Sequence, residues 1–300
     1  MNRRAVATGL SGAVTAAACG VAVLLHFGIV GGSTPAAEPP RSPTPAVSTE
    51  TVTRIAVAGD TGTGPGSAIE GTVKTMVDQG RQRHYDGLVL LGDLVYPEGD
   101  ADLAASRITD VFKPMVSHGA RLVPVLGNHD YLSDEQSAIL TELGRERTWY
   151  VDRVGIVRIL VLDTEQVDNP AQTTWLRKTL ASPTDAAWTI VAMHKPAYSA
   201  GVHGSDEEIQ QQWVPLFELY DVPLVLAGHD HDYQRSKPID GVTYMVSGGA
   251  ATLRPTGHEA FTQVSTSTLH YVDLLVEHDR LTLRAIDQSG MLFDSFELSR

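Results

Sequence analysis

Five short aliphatic runs, each stopping at a glycine or a polar residue, limit how this chain can fold more than any other feature. They are Arg54–Gly59, Gly87–Gly92, Arg121–Gly127, Trp188–Met193 and Pro223–Gly228. Brief aliphatic runs with such ends predict buried strands. Helical spacing alternates with them, with Ser, Asp or Thr near each start. These helical stretches are Ser67–Gln79, Asp102–Ser117, Asp134–Leu143, Thr173–Ala181 and Asp206–Tyr220.

Two further stretches, residues 148–163 and Leu269–Leu298, have the pattern of antiparallel hairpins. The sequence therefore predicts one mixed α/β domain over residues 53–300, with added antiparallel strands. In such sheets, ligands bind just beyond the carboxyl ends of the strands.

The N-terminal residues have the charge layout of an export signal. Between Ala5 and Gly32 the only ionisable side chain other than Cys19 is His26, and Arg3 and Arg4 precede the run. The run exceeds the ~20 apolar residues that span a bilayer. Residues 1–32 therefore predict an uncleaved signal anchor with a transmembrane helix, ahead of a cleaved signal peptide and of a lipidated Cys19. All three alternatives export the rest of the chain, and an uncleaved segment would attach it to the membrane.

Residues 33–52 are rich in Pro, Ser, Thr and Ala, which predicts an extended tether between the export segment and the domain. We find no internal repeat.

The net charge argues against nucleic-acid binding, and the cysteine content excludes a thiolate metal site in the predicted domain. The formal net charge of −13 over 300 residues argues against nucleic-acid binding, which needs a cationic surface. The only cysteine, Cys19, precedes the predicted domain, so a metal site there must use nitrogen and oxygen ligands.

The five predicted strands all end in side chains that bind metals. These are Asp60, Asp93, Asn128 with His129, His194, and His229 with His231. Each alone is compatible with a turn or a helix cap, but the set together indicates a site. Imidazole, carboxylate and carboxamide suit zinc, iron or manganese. The set is too large for one ion, so it predicts two ions that share a carboxylate, an arrangement suited to phosphate ester hydrolysis.

The same residues lie in five sequence blocks through which the chain resembles the calcineurin-like metallophosphoesterases, and among them the small, single-domain purple acid phosphatases. The blocks are GDTG at Gly59–Gly62, GDLVY at Gly92–Tyr96, GNHD at Gly127–Asp130, VAMH at Val191–His194 and GHDH at Gly228–His231. The resemblance implies two mixed β-sheets packed as a sandwich and flanked by helices.

Most metallophosphoesterases carry a histidine ligand where this chain has Gly62, and the resemblance implies that Tyr96 replaces it as a phenolate. A phenolate favours Fe(III). By resemblance, the ferric ligands are Asp60, Asp93, Tyr96 and His231, and the ligands of a divalent ion, Fe(II), Zn(II) or Mn(II), are Asn128, His194, His229 and the bridging Asp93.

His129 is expected to bind the phosphate or to protonate the leaving alkoxide, with Asp130 as its orienting partner. His203 lies nine residues beyond His194, at the offset of a histidine that acts on the leaving group in the mammalian-type enzymes. The predicted activity is acid hydrolysis of small phosphate monoesters by a metal-bound hydroxide. A phosphodiesterase and a catalytically dead surface binding protein remain as alternatives.

Overall fold

The computed structural model describes residues 52–300. The strands are β1 Thr53–Ala58, β2 Gly87–Leu91, β3 Arg121–Val125, β4 Tyr150–Val154, β5 Val157–Val161, β6 Trp188–Ala192, β7 Leu224–Ala227, β8 Tyr233–Ser236, β9 Thr243–Ser247, β10 Thr262–Thr266, β11 His270–Val276, β12 Arg280–Asp287 and β13 Leu292–Ser299. The α-helices are α1 Ile69–Gly80, α2 Asp110–Val116, α3 Gln136–Glu142, α4 Pro170–Ala181, α5 Glu207–Gln212 and α6 Val214–Leu219. The five aliphatic runs form β1, β2, β3, β6 and β7, as predicted.

The strands form two mixed sheets. One has six strands in the order β13-β12-β11-β1-β2-β3, and the other has seven in the order β10-β8-β9-β7-β6-β5-β4. The strands of the aliphatic runs pair in parallel within each sheet: β1 with β2, β2 with β3, and β6 with β7. Both predicted hairpin regions are antiparallel, β4 with β5, and β11 with β12 and β13.

The core lies between the sheets and beneath the helices on either side. Aliphatic side chains from both sheets, such as Val57, Val89 and Ile190, pack into one buried cluster. A second cluster lies between the six-stranded sheet and the helices α1 to α3, and a third between the seven-stranded sheet and α4 to α6. The predicted fold class, an α/β sandwich of two mixed sheets flanked by helices, is confirmed.

Two predicted helices are interrupted. The stretch Asp102–Ser117 divides into the 3₁₀ turn Ala101–Leu103, the π-helical turn Ala105–Thr109 and α2. The stretch Asp206–Tyr220 divides at Trp213, where α5 ends and α6 begins with a proline in its first turn. Proline has no N–H to donate, so it suits the start of a second helix better than the interior of one.

The export segment and nearly all of the tether lie outside the described residues, so their structure and boundaries remain predictions. Within residues 52–300, each helix is too short or too polar to cross a bilayer.

Candidate metal centre

Four predicted ligands form a tight group beside the carboxyl ends of β1 and β2. The phenol oxygen of Tyr96 lies 2.8 Å from Asp93 Oδ2, 3.2 Å from Asp60 Oδ1 and 3.1 Å from His231 Nε2. His231 Nε2 is also 3.3 Å from Asp60 Oδ1. The carboxylates and the imidazole form a buried group of metal-binding side chains, and Tyr96 lies against it.

The other predicted ligands meet around Nε2 of His194, which faces the opposite oxygen of Asp93. His194 Nε2 lies 3.3 Å from Asp93 Oδ1 and 3.1 Å from Asn128 Oδ1. His229 Nδ1 is 3.2 Å from the same His194 nitrogen. The structure therefore brings all seven predicted ligands together, with Asp93 between the two groups.

Local backbone conformation places these side chains. Asp60, Asp93 and His229 each have a positive φ, of 58°, 50° and 72°. Non-glycine residues adopt this conformation rarely, mainly where the surroundings hold it in place. Close packing also requires glycine at Gly127, where a Cβ would lie 2.3 Å from the amide nitrogen and from Oδ1 of Asp93.

Proton counting in the two groups tests whether they suit cations. The phenol of Tyr96 has one proton but lies against two carboxylate oxygens and an imidazole nitrogen, so it cannot donate to all three. His194 Nδ1 donates to the Leu91 carbonyl at 2.7 Å, so in the neutral tautomer Nε2 is the unprotonated nitrogen. That nitrogen faces oxygens of Asp93 and Asn128. Oxygen and nitrogen atoms that converge with too few protons between them are the donor set that metal ions require, so the residues fit two cations.

Burial shifts the ionisation of the same groups. Burial and the nearby charge of Asp93 raise the pKa of Asp60 well above its ordinary value. Burial also raises the pKa of Tyr96, and both carboxylates raise it further, so ionisation of this phenol requires a bound cation. Burial, helped by the neighbouring His194, lowers the pKa of His229 to about 2 and keeps that imidazole neutral.

His129 lies at the edge of the centre. Its Nε2 is 4.0 Å from Asp93 Oδ2, and 31 % of its side chain is exposed. Its Nδ1 donates to the Pro97 carbonyl at 2.6 Å. The predicted orienting role of Asp130 is wrong, because its carboxylate bonds backbone amides and not the His129 ring. It accepts hydrogen bonds from three backbone amides, those of Leu94, Val95 and Gly127.

His203 reaches the centre by stacking on His229, with ring centroids 4.1 Å apart. Its Nδ1 and its backbone N–H both face Asp230 Oδ1, at 3.0 and 2.9 Å. Its Nε2 lies 2.8 Å from a guanidinium nitrogen of Arg254. The structure thus places the predicted residue at the site and adds two neighbours that sequence reasoning did not identify.

A family model of calcineurin-like phosphoesterases matches residues 53–233, which is more than half of the 300-residue chain. The chain belongs to the calcineurin-like phosphoesterase family. The matched span contains all seven predicted metal ligands. The family inferred from the five sequence blocks is therefore confirmed.

Known relatives of this phosphoesterase support the purple acid phosphatase branch. Human tartrate-resistant acid phosphatase type 5 is 28% identical over 204 residues, which cover 57% of this chain and 62% of the human protein. An uncharacterized protein of Mycobacterium tuberculosis is 29% identical over 157 residues, 38% of this chain and 30% of that protein. The chain thus spans less than two thirds of both relatives.

The fold is also similar to that of a solved purple acid phosphatase from yellow lupin (Lupinus luteus) seeds. The two structures superpose with a TM-score of 0.73 at 22% sequence identity. The similarity covers 84% of this chain and 54% of the lupin chain.

Several residues around the phosphoesterase site were missed by sequence reasoning. Thr252 Oγ1 lies 2.6 Å from His231 Nδ1 and holds that ring, and Asp230 holds His203. Asp230 lies between the two histidines of GHDH, and this position in the sequence could have indicated that it belongs to the site. Thr252 and Arg254 belong to a loop whose approach depends on tertiary packing, so no local sequence pattern indicates them.

The loop Ser247–Gly249 approaches the centre, because a Cβ on Gly248 would lie 2.6 Å from Asp60 Oδ2. Ser247 Oγ lies 2.9 Å from Nε2 of the buried His270, whose Nδ1 donates to the Thr268 carbonyl at 2.8 Å. His270 therefore supports the loop from behind. Tyr233, in contrast, is fully buried and bonds Asp294, so it packs away from the pocket.

His270 predicts a pH-dependent stability. Burial lowers the pKa of His270 to about 4. The unfolded chain therefore binds more protons between pH 6.5 and 4, and the free energy of unfolding falls as pH drops through that window. We expect this histidine to contribute a loss of about 2 kcal/mol between about pH 7 and about pH 4.5. Urea unfolding of metal-free protein at both pH values measures it, and His270→Gln should remove that part of the slope. An unchanged slope in the variant would contradict the assignment.

Proposed function

We propose that the protein is an exported acid phosphatase of the purple acid phosphatase type, which holds one ferric and one divalent ion and hydrolyses small phosphate monoesters. The observation that carries this proposal is the position of Asp93 between the two ligand groups. Its Oδ2 lies 2.8 Å from the phenol oxygen of Tyr96, and its Oδ1 lies 3.3 Å from His194 Nε2. One carboxylate shared in this way suits a pair of ions and not a single one.

The two groups would hold different ions. Tyr96 supplies the oxygen that favours iron in the ferric state, and Asn128 supplies a neutral oxygen that suits a divalent ion. When bound, such a pair supplies positive charge for phosphate oxygens and lowers the pKa of water. The acidic chain, with a net charge of −13, needs that local positive charge to accept an anionic ester.

Two histidines of the chain would handle the substrate. His129 donates through Nδ1 to the Pro97 carbonyl, which leaves Nε2 facing the site beside Asp93. That nitrogen can hold a proton toward a phosphate or leaving-group oxygen. His203 is fixed through Nδ1 by Asp230, stacks on His229 and lies with Nε2 against Arg254, which keeps this imidazole beside the site.

Metal analysis combined with two chromogenic substrates tests the proposal. We expect about two metal ions per chain, at least one of them iron, and faster turnover of p-nitrophenyl phosphate than of bis(p-nitrophenyl) phosphate. Preference for the bis-ester would favour the phosphodiesterase alternative. Colourless, metal-free and inactive protein would favour a binding protein with a dead site.

Tyr96→Phe should abolish the absorption band of the purified protein in the green to yellow region. The physical reason is that this band is charge transfer from the phenolate to Fe(III), and phenylalanine has no oxygen to donate. Visible spectra at equal iron content measure the effect. Tyr85→Phe is a matched control, since Tyr85 is also buried but bonds Tyr271 and Arg54 instead of the site. A band that survives in Tyr96→Phe would contradict the ferric phenolate.

Export is proposed from the charge layout of residues 1–32. Cell fractionation locates the protein, and the mass of its mature form distinguishes an uncleaved anchor from a cleaved or lipidated N-terminus. Protein found only in the cytoplasm would contradict export.

A further inference from the structure

Arg254 is anchored beside the metal centre at its backbone. Its N–H donates to the carbonyl of His231 at 3.0 Å, and its carbonyl accepts from Ser267 Oγ at 2.8 Å. Three residues later the same loop packs tightly on the loop that carries His203, since a Cβ on Gly257 would lie 2.2 Å from the Ala200 carbonyl oxygen. The backbone from which the Arg254 side chain extends is therefore fixed beside the site.

The guanidinium of Arg254 points over His203. One terminal nitrogen lies 2.8 Å from His203 Nε2. An arginine is always a donor, so this nitrogen of the imidazole is the acceptor and Nδ1 carries the proton toward Asp230.

His203 does not need Arg254 to hold its position. The buried Asp230, 1 % exposed, accepts from both the backbone N–H and the ring of His203. The ring also stacks on His229. Since these contacts already fix the imidazole, the arginine is available for another role.

Within the part of the chain that the structure describes, the charge of Arg254 has no acidic partner. Among residues 52–300, no carboxylate lies within salt-bridge distance of it, and its remaining N–H groups have no acceptor. Lys195 provides the contrast, because it lines one cleft with His203 and His229 but pairs with Glu165 at 2.7 Å. In a chain with a net charge of −13, a guanidinium whose backbone is anchored at the site and which has no acidic partner among the described residues indicates an anionic ligand.

We propose that Arg254 is a specificity-determining residue that binds a second anionic group of the substrate, carried by the alcohol that leaves. The inference rests on the proposed function and narrows it to phosphate monoesters whose leaving group bears a carboxylate or another phosphate. The location supports the leaving-group side, because the guanidinium lies against His203, and His203 stacks on the predicted ligand His229. A guanidinium fork matches a carboxylate with two parallel hydrogen bonds.

Binding tests the proposal without requiring turnover. Isothermal titration calorimetry of the metal-loaded protein compares phosphonoacetate with phosphonoacetamide, which differ only in the charge of the group beyond the phosphonate. We expect the wild type to prefer the carboxylate by at least about tenfold, as for a charge-assisted hydrogen bond. Arg254→Gln should bring this ratio close to one, and Arg254→Lys should give an intermediate ratio. Arg177→Gln makes the same charge change on an exposed part of α4 and should keep the wild-type ratio.

Hydrolysis of 4-carboxyphenyl phosphate and 4-carbamoylphenyl phosphate gives the second readout, as the ratio of their kcat/KM values. Loss of discrimination in Arg254→Gln by either readout supports the proposal. A ratio near one in the wild type, or equal weakening of both ligands in Arg254→Gln, overturns it and assigns the arginine a structural role. Wild-type protein that discriminates in binding but hydrolyses no phosphate ester would refute the proposed function alone.

Discussion

Asp60→Asn is expected to lower kcat/KM for p-nitrophenyl phosphate by at least about a thousandfold, because it removes a charged ligand from the predicted ferric site. The same change should make the metal-free protein more stable at neutral pH. Asp60 is fully buried, and burial together with the charge of Asp93 raises its pKa. Its ionised form therefore costs folding free energy at neutral pH, and a neutral amide avoids that cost.

The amide also fits the site of Asp60 in the metal-free chain. Its oxygen can still accept from the His229 amide, at 2.9 Å in the wild type. The NH₂ of the new amide can donate toward His231 Nε2, which in the wild type lies 3.3 Å from Asp60 Oδ1. Activity assays with metal supplied, and urea unfolding in the presence of a chelator, measure the two effects.

Asp273→Asn is the matched control for this substitution. Asp273 is equally buried but pairs with Arg54 at 2.9 Å, so neutralising it leaves a buried cation without its partner. We expect a loss of roughly 3 kcal/mol of unfolding free energy. If Asp60→Asn destabilised the metal-free protein as much as Asp273→Asn does, the two carboxylates of the centre would not be in electrostatic conflict.

Gly62→Ala is expected to cost at least about 2 kcal/mol of unfolding free energy and to disturb the iron site. A Cβ at this position would lie 2.4 Å from the carbonyl carbon of Leu94 and 2.5 Å from the amide nitrogen of Val95. Both are backbone atoms, so they cannot relieve the contact by a change of rotamer as a side chain can. Gly62 also donates to the Asp93 carbonyl at 2.9 Å and accepts from the Tyr96 amide at 3.1 Å. Displacement of Gly62 would therefore move two predicted ligands together.

Chemical unfolding measures the cost of Gly62→Ala, and the visible spectrum reports on Tyr96. Gly80→Ala serves as control, since the atom nearest to its added Cβ is 3.3 Å away on the Tyr85 ring. We expect that control to stay within about 1 kcal/mol of the wild type. Wild-type stability and spectrum in Gly62→Ala would contradict the steric argument.

The contact at Gly62 also explains the sequence feature that identified the branch. A histidine ligand at this position would need a Cβ where the backbone of Leu94 passes. The two loops approach each other closely here, and the Tyr96 amide donates a hydrogen bond to the Gly62 carbonyl in the same contact. The close approach therefore excludes a histidine at position 62 and holds the backbone of Tyr96 beside it.

The five strand ends could be predicted because each depends on local pattern, an aliphatic run followed by a turn residue. Their convergence could be inferred because parallel strands deliver their carboxyl ends to one edge. Asp130 shows the limit of this reasoning. Its place beside His129 in the chain suggested a contact, but a turn directs its carboxylate to the Leu94 and Gly127 amides instead.

Arg254 and Thr252 mark the other limit of prediction. They lie more than twenty residues beyond the last sequence block, which ends at His231. Their contacts with His203 and His231 depend on how two loops pack, which no local pattern encodes. The breaks in the predicted helices are different, because the proline in the first turn of α6 was visible and its preference for helix starts could have been used.

The division of the ligands between the two sheets has a consequence for maturation. Asp60, Asp93 and Asn128 follow strands of the six-stranded sheet, whereas the histidines of VAMH and GHDH follow strands of the seven-stranded sheet. Neither layer alone holds the complete set of predicted ligands. Under the proposed function, we therefore expect stable binding of the ions only after both layers have closed on each other, as a late step that reports on a correctly assembled chain.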